Sequence, residues 1–469
     1  MKPFTYIFPA YKQIYIVKLK NYFQIVCCCF LLLACDNFTD VALPESELTS
    51  PAVFEDPATV NAAFASIYAK LRDDVLVTGQ TSGINVLLGL YADELDYYGV
   101  PGEPADFFYR HAILPSNTEV ASIWSDTYNL IYASNSILEG VQASKNLSQE
   151  YKDKFRGEAL FIRAYLHSYL LQLYGAIPYI TTTDYHNNKD VSRLPENEVN
   201  QLLIQDLLEA QSLLAEQGLA NERIKPSAPA STALLARIYL YQKDYASAAA
   251  EASQIINNTN INLGETTEFV FTKNSPTTIW QLKPESGNNT WEAITFIFVG
   301  PPSFLALSPD LVTSFEAGDS RKANWIGEVN AAGQTYYYPF KYKVRQGSGN
   351  EYSILLRLAE QYLIRAEARL YLGDLDGAKT DLNLIRNRAA LPPITTNIED
   401  ELKLAIENER RHELFTEQGH RWFDLKRTAR ANEILGPIKP NWHNTDILLP
   451  IPETELNLNP NLQPQNPGY

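Results

Sequence analysis

Ala236-Arg-Ile-Tyr-Leu-Tyr-Gln-Lys-Asp244-Tyr-Ala246 returns 132 residues later as Ala368-Arg-Leu-Tyr-Leu-Gly-Asp-Leu-Asp376-Gly-Ala378. Each copy reads as a helix, a tight turn and a second helix that starts after the aspartate. The small alanines let two antiparallel helices approach closely. A helical pair that recurs along a chain is the mark of a tetratricopeptide-type scaffold. Residues 154–174 and 197–217 read as a more degenerate unit of the same kind.

The helical signal extends outward from these copies. Asp56 can cap a helix that begins at Pro57, with Phe64, Ile67, Tyr68 and Leu71 on one apolar face. A second helix spans about 118–142, with Val120, Ile123, Trp124, Tyr128 and Ile131 on a stripe. A third spans 148–173 and stops at Gly175, with Pro178 beyond. Further helical pattern covers 197–217, 227–242, 244–257, 351–372, 376–388 and 399–417. Three stretches break it: a Gly- and Tyr-rich loop through Tyr91-Ala-Asp-Glu-Leu-Asp-Tyr-Tyr98, residues 260–345 with β-like runs such as 294–299, and a tail from 434 rich in Pro and Asn. The expected fold is mostly α: tetratricopeptide-like helical hairpins in one domain over 51–469. Loop-rich, variable regions at about 70–115 and 260–345 would carry any ligand.

The N-terminus carries a different signal. Lys12, Lys18 and Lys20 precede an apolar run that ends Leu32-Leu33-Ala34-Cys35. A positive region, a short apolar core and a small residue before cysteine read as a lipoprotein signal peptide over 1–34, too short for a mature membrane span. The pattern resembles a lipobox, which implies cleavage before Cys35 and lipidation of its sulfur, with 35–50 as a tether. The other cysteines are Cys27, Cys28 and Cys29, so no disulfide is expected after cleavage.

Residues 1–34 hold four lysines and no acid, which leaves 35 basic against 55 acidic residues in the rest. That balance argues against nucleic acid and against tight binding of the protein body to anionic headgroups. The membrane contact expected is through the lipid alone.

Catalytic signals are missing. There is no GxSxG, Walker loop or dinucleotide fingerprint. The six histidines (His111, His167, His186, His412, His420, His443) have no HxxxH or HExxH spacing. Asp374 and Asp376 lie in a turn without a calcium-loop pattern. Glu409, Arg410, Arg411, Glu413 and Asp424 mimic a catalytic cluster, but their spacing suits pairing along a helix. Glu360, Arg365, Glu367, Arg163 and Glu158 read as scaffold. No enzyme, cofactor or metal is expected.

Four segments, in order, narrow the reading. The first is Arg156-Gly-Glu-Ala-Leu-Phe-Ile-Arg-Ala-Tyr165 through Leu173-Tyr-Gly-Ala-Ile-Pro178. The second is Leu358-Ala-Glu-Gln-Tyr-Leu-Ile-Arg-Ala-Glu-Ala368 through Leu384-Ile-Arg-Asn-Arg-Ala389. The third is Glu409-Arg-Arg-His-Glu-Leu-Phe415 with Gly419-His-Arg-Trp-Phe-Asp-Leu-Lys-Arg427. The last is Leu449-Pro-Ile-Pro-Glu453 with Asn459-Pro-Asn-Leu-Gln-Pro-Gln-Asn-Pro467. Behind a lipobox, they resemble the SusD/RagB family of Bacteroidetes surface lipoproteins. The resemblance implies four tetratricopeptide-like hairpins and nutrient capture, usually of oligosaccharide. It also implies a partner, a TonB-dependent outer-membrane transporter over which the protein forms a lid, and no catalytic activity. Capture of peptide and a purely structural lid remain open as alternatives. Surface exposure is cued only in part, by Asp36 and Asp40 after Cys35.

A sugar ring lays its C–H face on an aromatic side chain while polar neighbours take its hydroxyls. The rings expected to be free for this lie in the loops: Tyr97, Tyr98, Trp280, Trp291, Trp325, Tyr336 and Tyr338. In a strand Tyr336 and Tyr338 share a face and Tyr337 points away. Asp106 and Glu103 lie near the first pair, and Lys341, Lys343 and Arg345 would form a local basic patch.

Overall fold

The computed structural model describes residues 50–469 other than Glu265 and Ser348. The expected signal peptide, tether and lipidated Cys35 lie outside the described residues.

Helix α1 (Pro57–Asp73) starts as its sequence dictates: Asp56 Oδ1 accepts the Ala58 N–H at 2.7 Å, and Val60, Phe64, Ile67 and Leu71 are buried. Then come α2 (Ile84–Tyr91), strand β1 (Leu95–Tyr97) and α3 (Pro104–Arg110). The stretch read as one loop therefore contains two helices. Every residue of α2 is buried, so it shows no polar face and no helical period.

The scaffold follows: α4 (Thr118–Ala143), α5 (Gln149–Tyr174), α6 (Glu196–Leu213), α7 (Ala228–Tyr241) and α8 (Tyr245–Ile256). After an insertion it resumes with α10 (Leu358–Tyr371), α11 (Leu375–Arg388), α12 (Glu399–Leu414) and α13 (His420–Arg427), where α9 is the short helix Trp291–Phe296 inside the insertion. Each scaffold helix from α4 to α8 packs on the next, and α8 packs on α10, so the array runs on across the insertion.

The repeat is real, with a corrected register. Tyr241-Gln-Lys-Asp244 corresponds to Tyr371-Leu-Gly-Asp374, a spacing of 130 rather than 132. Lys243 and Gly373 each have positive φ, 63° and 81°. Asp244 and Asp374 each cap the following helix, at Ser247 N–H and Gly377 N–H. Asp376 matched by letter but lies inside α11. At the turns Tyr245 stacks on Tyr371 with centroids 4.3 Å apart.

Buried arginine forks bolt successive helices. Arg163 of α5 holds Asp206 of α6 at 2.8 and 2.7 Å and Asn135 of α4 at 2.9 Å. Arg237 of α7 holds Glu360 of α10 at 2.6 and 2.7 Å. Arg365 of α10 holds Asp381 of α11 at 2.8 and 2.7 Å. A planar guanidinium on a carboxylate fixes the angle as well as the distance between two helices.

The insertion supplies β2 (Thr278–Leu282), β3 (Leu305–Leu307), β4 (Ile326–Ala331) and β5 (Gln334–Pro339), and β6 (Ser353–Arg357) leads into α10. The pairs are β1–β3, β2–β6 and the β4–β5 hairpin, all antiparallel. Two expectations fail here. Residues 353–357 are strand, not the start of a helix, and the β-like run at 294–299 is no strand: its first half belongs to helix α9. Both runs are short and apolar, and such runs do not separate the two periods.

Candidate functional site

Strand β1 ends at Tyr97, and Tyr98 N–H donates to Phe304 O at 2.8 Å, which ties this chain edge to the segment before β3. In the β4–β5 hairpin Tyr338 lies opposite Gly327, Tyr337 opposite Glu328 and Tyr336 opposite Val329. Alternation places Tyr336 and Tyr338 on one face. Tyr337 and part of Tyr338 pack against the core, while Tyr336 does not.

The two strand systems meet through rings. Tyr98 and Tyr336 are in edge contact, centroids 5.8 Å apart at 85°. Tyr97 meets Phe304 at 5.6 Å and 76°. Tyr338 meets Phe298 at 5.0 Å and Phe340 at 5.6 Å. Tyr98 is 40% exposed, and Val100, two residues on, and Val299, next to Phe298, are exposed as well. A run of partly exposed rings on strands is a pre-formed surface that loses little entropy on binding. Of the seven rings expected in the site, Tyr98 and Tyr336 are in direct contact, Tyr338 shares the hairpin face of Tyr336, and Tyr97 packs instead on Phe304 and Tyr109.

The tryptophans are not part of it. Trp280 is wholly buried in β2, edge-on to Phe161 and Tyr165 of α5 at 5.0 Å each. Trp325 is 1% exposed, and its Nε1 donates to Thr267 O at 2.9 Å. Both are corrected from ligand candidates to core, because the insertion folds its largest rings inward to cover the helical array. Trp291 is half-buried elsewhere, donating Nε1 to Asp73 Oδ1 at 2.8 Å.

The sequence reading missed Phe298, Phe304 and Phe340. The exposed Val299 followed by Gly300-Pro301-Pro302 was the available signal for a surface turn.

The polar neighbours are specific. Asp106 accepts Gly102 N–H at 2.8 Å and pairs with Arg110 at 2.7 Å, which makes it loop structure. Burial pushes the Asp96 carboxyl up, against the opposing pull of Lys439. Lys439 sits 4.0 Å over the Tyr109 ring, donates to Leu90 O at 2.8 Å and is lowered to about 8 by burial. The expected basic patch does not form. Lys341 is buried on Glu413 O and Phe415 O, and Lys343 donates to Asn324 O and Phe340 O; Arg345 alone of the three is exposed.

The catalytic look-alikes are locked away, and of the five only Asp424 pairs along its own helix, with Arg427 at 2.8 Å. Glu409 pairs with Arg321 and Arg386, Arg410 with Asp424, and Arg411 with Asp93 and Asp310. Glu413 takes Arg321, Arg357 and Arg388 together. The face of α12 that carries them is buried, so its charges reach partners on other segments, Asp424 of α13 among them. Among the described residues no group of three His, Cys, Asp or Glu is placed to hold a metal, and no helix is long and apolar enough to cross a membrane.

One carboxyl beneath β1 is unusual. Glu94 is buried, accepts Thr416 N–H at 3.2 Å, and is raised from 4.5 to about 8 by burial and then by Asp93. Its folded pKa lies above its unfolded one. The stability it contributes is full below pH 4.5 and falls as pH rises towards 8. Glu94→Gln should therefore raise unfolding free energy by roughly 4 kcal/mol at pH 8 and leave it nearly unchanged at pH 4. Urea titrations at both pH values check this; equal effects at both would refute it.

A model described as the SusD family matches residues 309–469, and one described as starch-binding associating with outer membrane matches 105–240. SusD-like protein P2 of Formosa agariphila is 27% identical, covering 91% of this chain and 95% of its own. Among solved structures, a SusD superfamily protein from Bacteroides vulgatus is 21% identical with TM-score 0.79, covering 89% of this chain and all of its own. A laminarin binding SusD-like protein is 24% identical with TM-score 0.74, covering 88% and 99%.

Proposed function

The chain belongs to the SusD/RagB family, and from that premise we propose that it captures oligosaccharide at the cell surface and passes it to a TonB-dependent outer-membrane transporter. The observation that carries the ligand reading is the ring surface of Tyr98, Tyr336 and Tyr338, assembled from two strand systems and partly open to solvent. A lipid on Cys35 would hold the protein on the outer membrane, facing the exterior. The rings, with Asp96 and Gln334 beside them, suit a sugar's C–H face and its hydroxyls; Tyr336 OH already donates to Gln334 Oε1 at 3.2 Å. No bond-breaking role belongs to this reading, because the carboxylates at 409–424 are consumed in ion pairs.

A glycan array followed by calorimetry tests it. Tyr98→Ala and Tyr336→Ala should each weaken the best saccharide about tenfold, the value of one aromatic contact of about 1.4 kcal/mol. Silence across the array together with tight peptide binding would overturn the saccharide reading in favour of peptide capture.

A further inference from the structure

We propose that Gly99 and Gly327 are positioning residues, which set the angle of Tyr97, the chain neighbour of Tyr98 at the edge of the ring surface, and of Tyr338 within it, by leaving room for each ring to lie across bare backbone. This rests on the saccharide reading above and extends it from the rings to what holds them.

The geometry is the same at both places. A Cβ built on Gly327 would fall 2.2 Å from Tyr338 Cζ, 2.3 Å from Cε2 and 2.6 Å from the hydroxyl oxygen. A Cβ on Gly99 would fall 2.4 Å from the Tyr97 hydroxyl oxygen, 2.5 Å from Cζ and 2.8 Å from Cε2. Neither glycine has positive φ, so neither is needed for its backbone conformation. What excludes a side chain is the tyrosine ring itself.

In the hairpin the glycine and the ring are direct cross-strand partners. A ring folded over a facing glycine covers the exposed strand and restores the packing the glycine lacks. Phe298 and Phe340 then hold the Tyr338 ring at its edges. In the other case the ring lies forward over the residues that follow its strand, and Tyr97 OH donates to Val100 O at 2.9 Å, which anchors its far end.

The atoms a new Cβ would meet are the far ends of partly exposed side chains, not backbone. Gly327→Ala therefore displaces the ring more readily than it unfolds the hairpin. Stability and ligand affinity should separate, which a merely structural glycine would not produce.

Two measurements test this on the purified protein. In glycine-labelled protein the Hα resonances of Gly99 and Gly327 should be displaced by ring current, and lose that displacement in Tyr97→Leu and Tyr338→Leu respectively. Random-coil shifts for both glycines in the wild type would overturn the proposal, whether or not any saccharide binds. In calorimetry with the best saccharide from the array, Gly327→Ala and Gly99→Ala should weaken binding about tenfold with the unfolding midpoint little changed. Gly300→Ala, whose Cβ would meet nothing within 4 Å, should bind as the wild type does. Gly333→Ala strains the hairpin turn at φ 80° without touching a ring. Equal loss in Gly333→Ala would assign the effect to hairpin integrity and overturn the proposal, as would wild-type affinity in Gly327→Ala. A silent array with displaced glycine resonances would reject the saccharide reading alone.

Discussion

Glu413→Ala is expected to lower the unfolding free energy by about 3–5 kcal/mol, the range seen when one partner of a buried ion pair is removed. Glu413 is fully buried, and its carboxylate takes Arg357 Nη1 at 2.6 Å, Arg321 Nη1 at 3.2 Å and Arg388. Burial pushes this carboxyl up, but Arg388, Arg357 and Arg321 outweigh it and hold the group well below the usual carboxylate range. Two of the three arginines keep other partners after the substitution. Arg321 retains Asp319 and Glu409, and Arg357 retains Glu417. Arg388 is left with no carboxylate among the described residues, and its Nε and Nη1 already lack a protein partner. The expected loss is therefore mostly the desolvation of Arg388, and Glu413→Ala/Arg388→Leu should recover a large part of it. The pH sign follows from the depressed pKa: the stabilisation is present above about pH 4.5 and is lost as the solution is acidified. Urea midpoints of the wild type and both variants at pH 7 decide the matter. A shift under about 1 kcal/mol for Glu413→Ala would show that water replaces the carboxylate at little cost.

Trp280→Ala is expected to destabilise the fold by a similar 3–5 kcal/mol, the usual range for removing a large aromatic ring from a core. The indole stands edge-on to Phe161 at 90° and to Tyr165 at 85°, so β2 is keyed into α5 by this one side chain. The position pairs with Leu356 of β6, the strand that leads into α10. A cavity here loosens the insertion from both parts of the helical array. Trp280→Phe, which keeps an aromatic body, should lose less than half as much. Below the unfolding transition the alanine variant should bind saccharide as the wild type does, because Trp280 has no exposed surface to offer. Weakened binding by fully folded protein would return Trp280 to the site.

Much of the helical scaffold was legible because its cues are local. The cap at Asp56, the stop at Gly175 and the stripe of Val120, Ile123 and Trp124 each lie within a few turns of chain and were read to within a residue or two. Helix α2 was illegible for the opposite reason. It is buried all round, and a helix without a polar face has no period to detect. The repeat shows both sides: its existence was visible, but its register was wrong by two because letters were matched where turn geometry decides.

The ring surface shows the same division. Tyr336 and Tyr338 share a face by the alternation of any strand, and that needed only the sequence. That Tyr336 meets Tyr98, 238 positions away in the chain, is a tertiary fact. Trp280, Trp325 and Tyr98 looked alike as loop aromatics, since composition is blind to which ring the insertion turns inward. By itself, the sequence determined the amphipathic scaffold helices, several of their caps and the family resemblance, because these rest on short-range periodicity and on motifs contiguous in the chain. Only the tertiary structure decided which carboxylates meet which arginines, which aromatics are buried and which glycines lie under the half-buried tyrosines. Those are contacts between distant segments, and no local pattern encodes them.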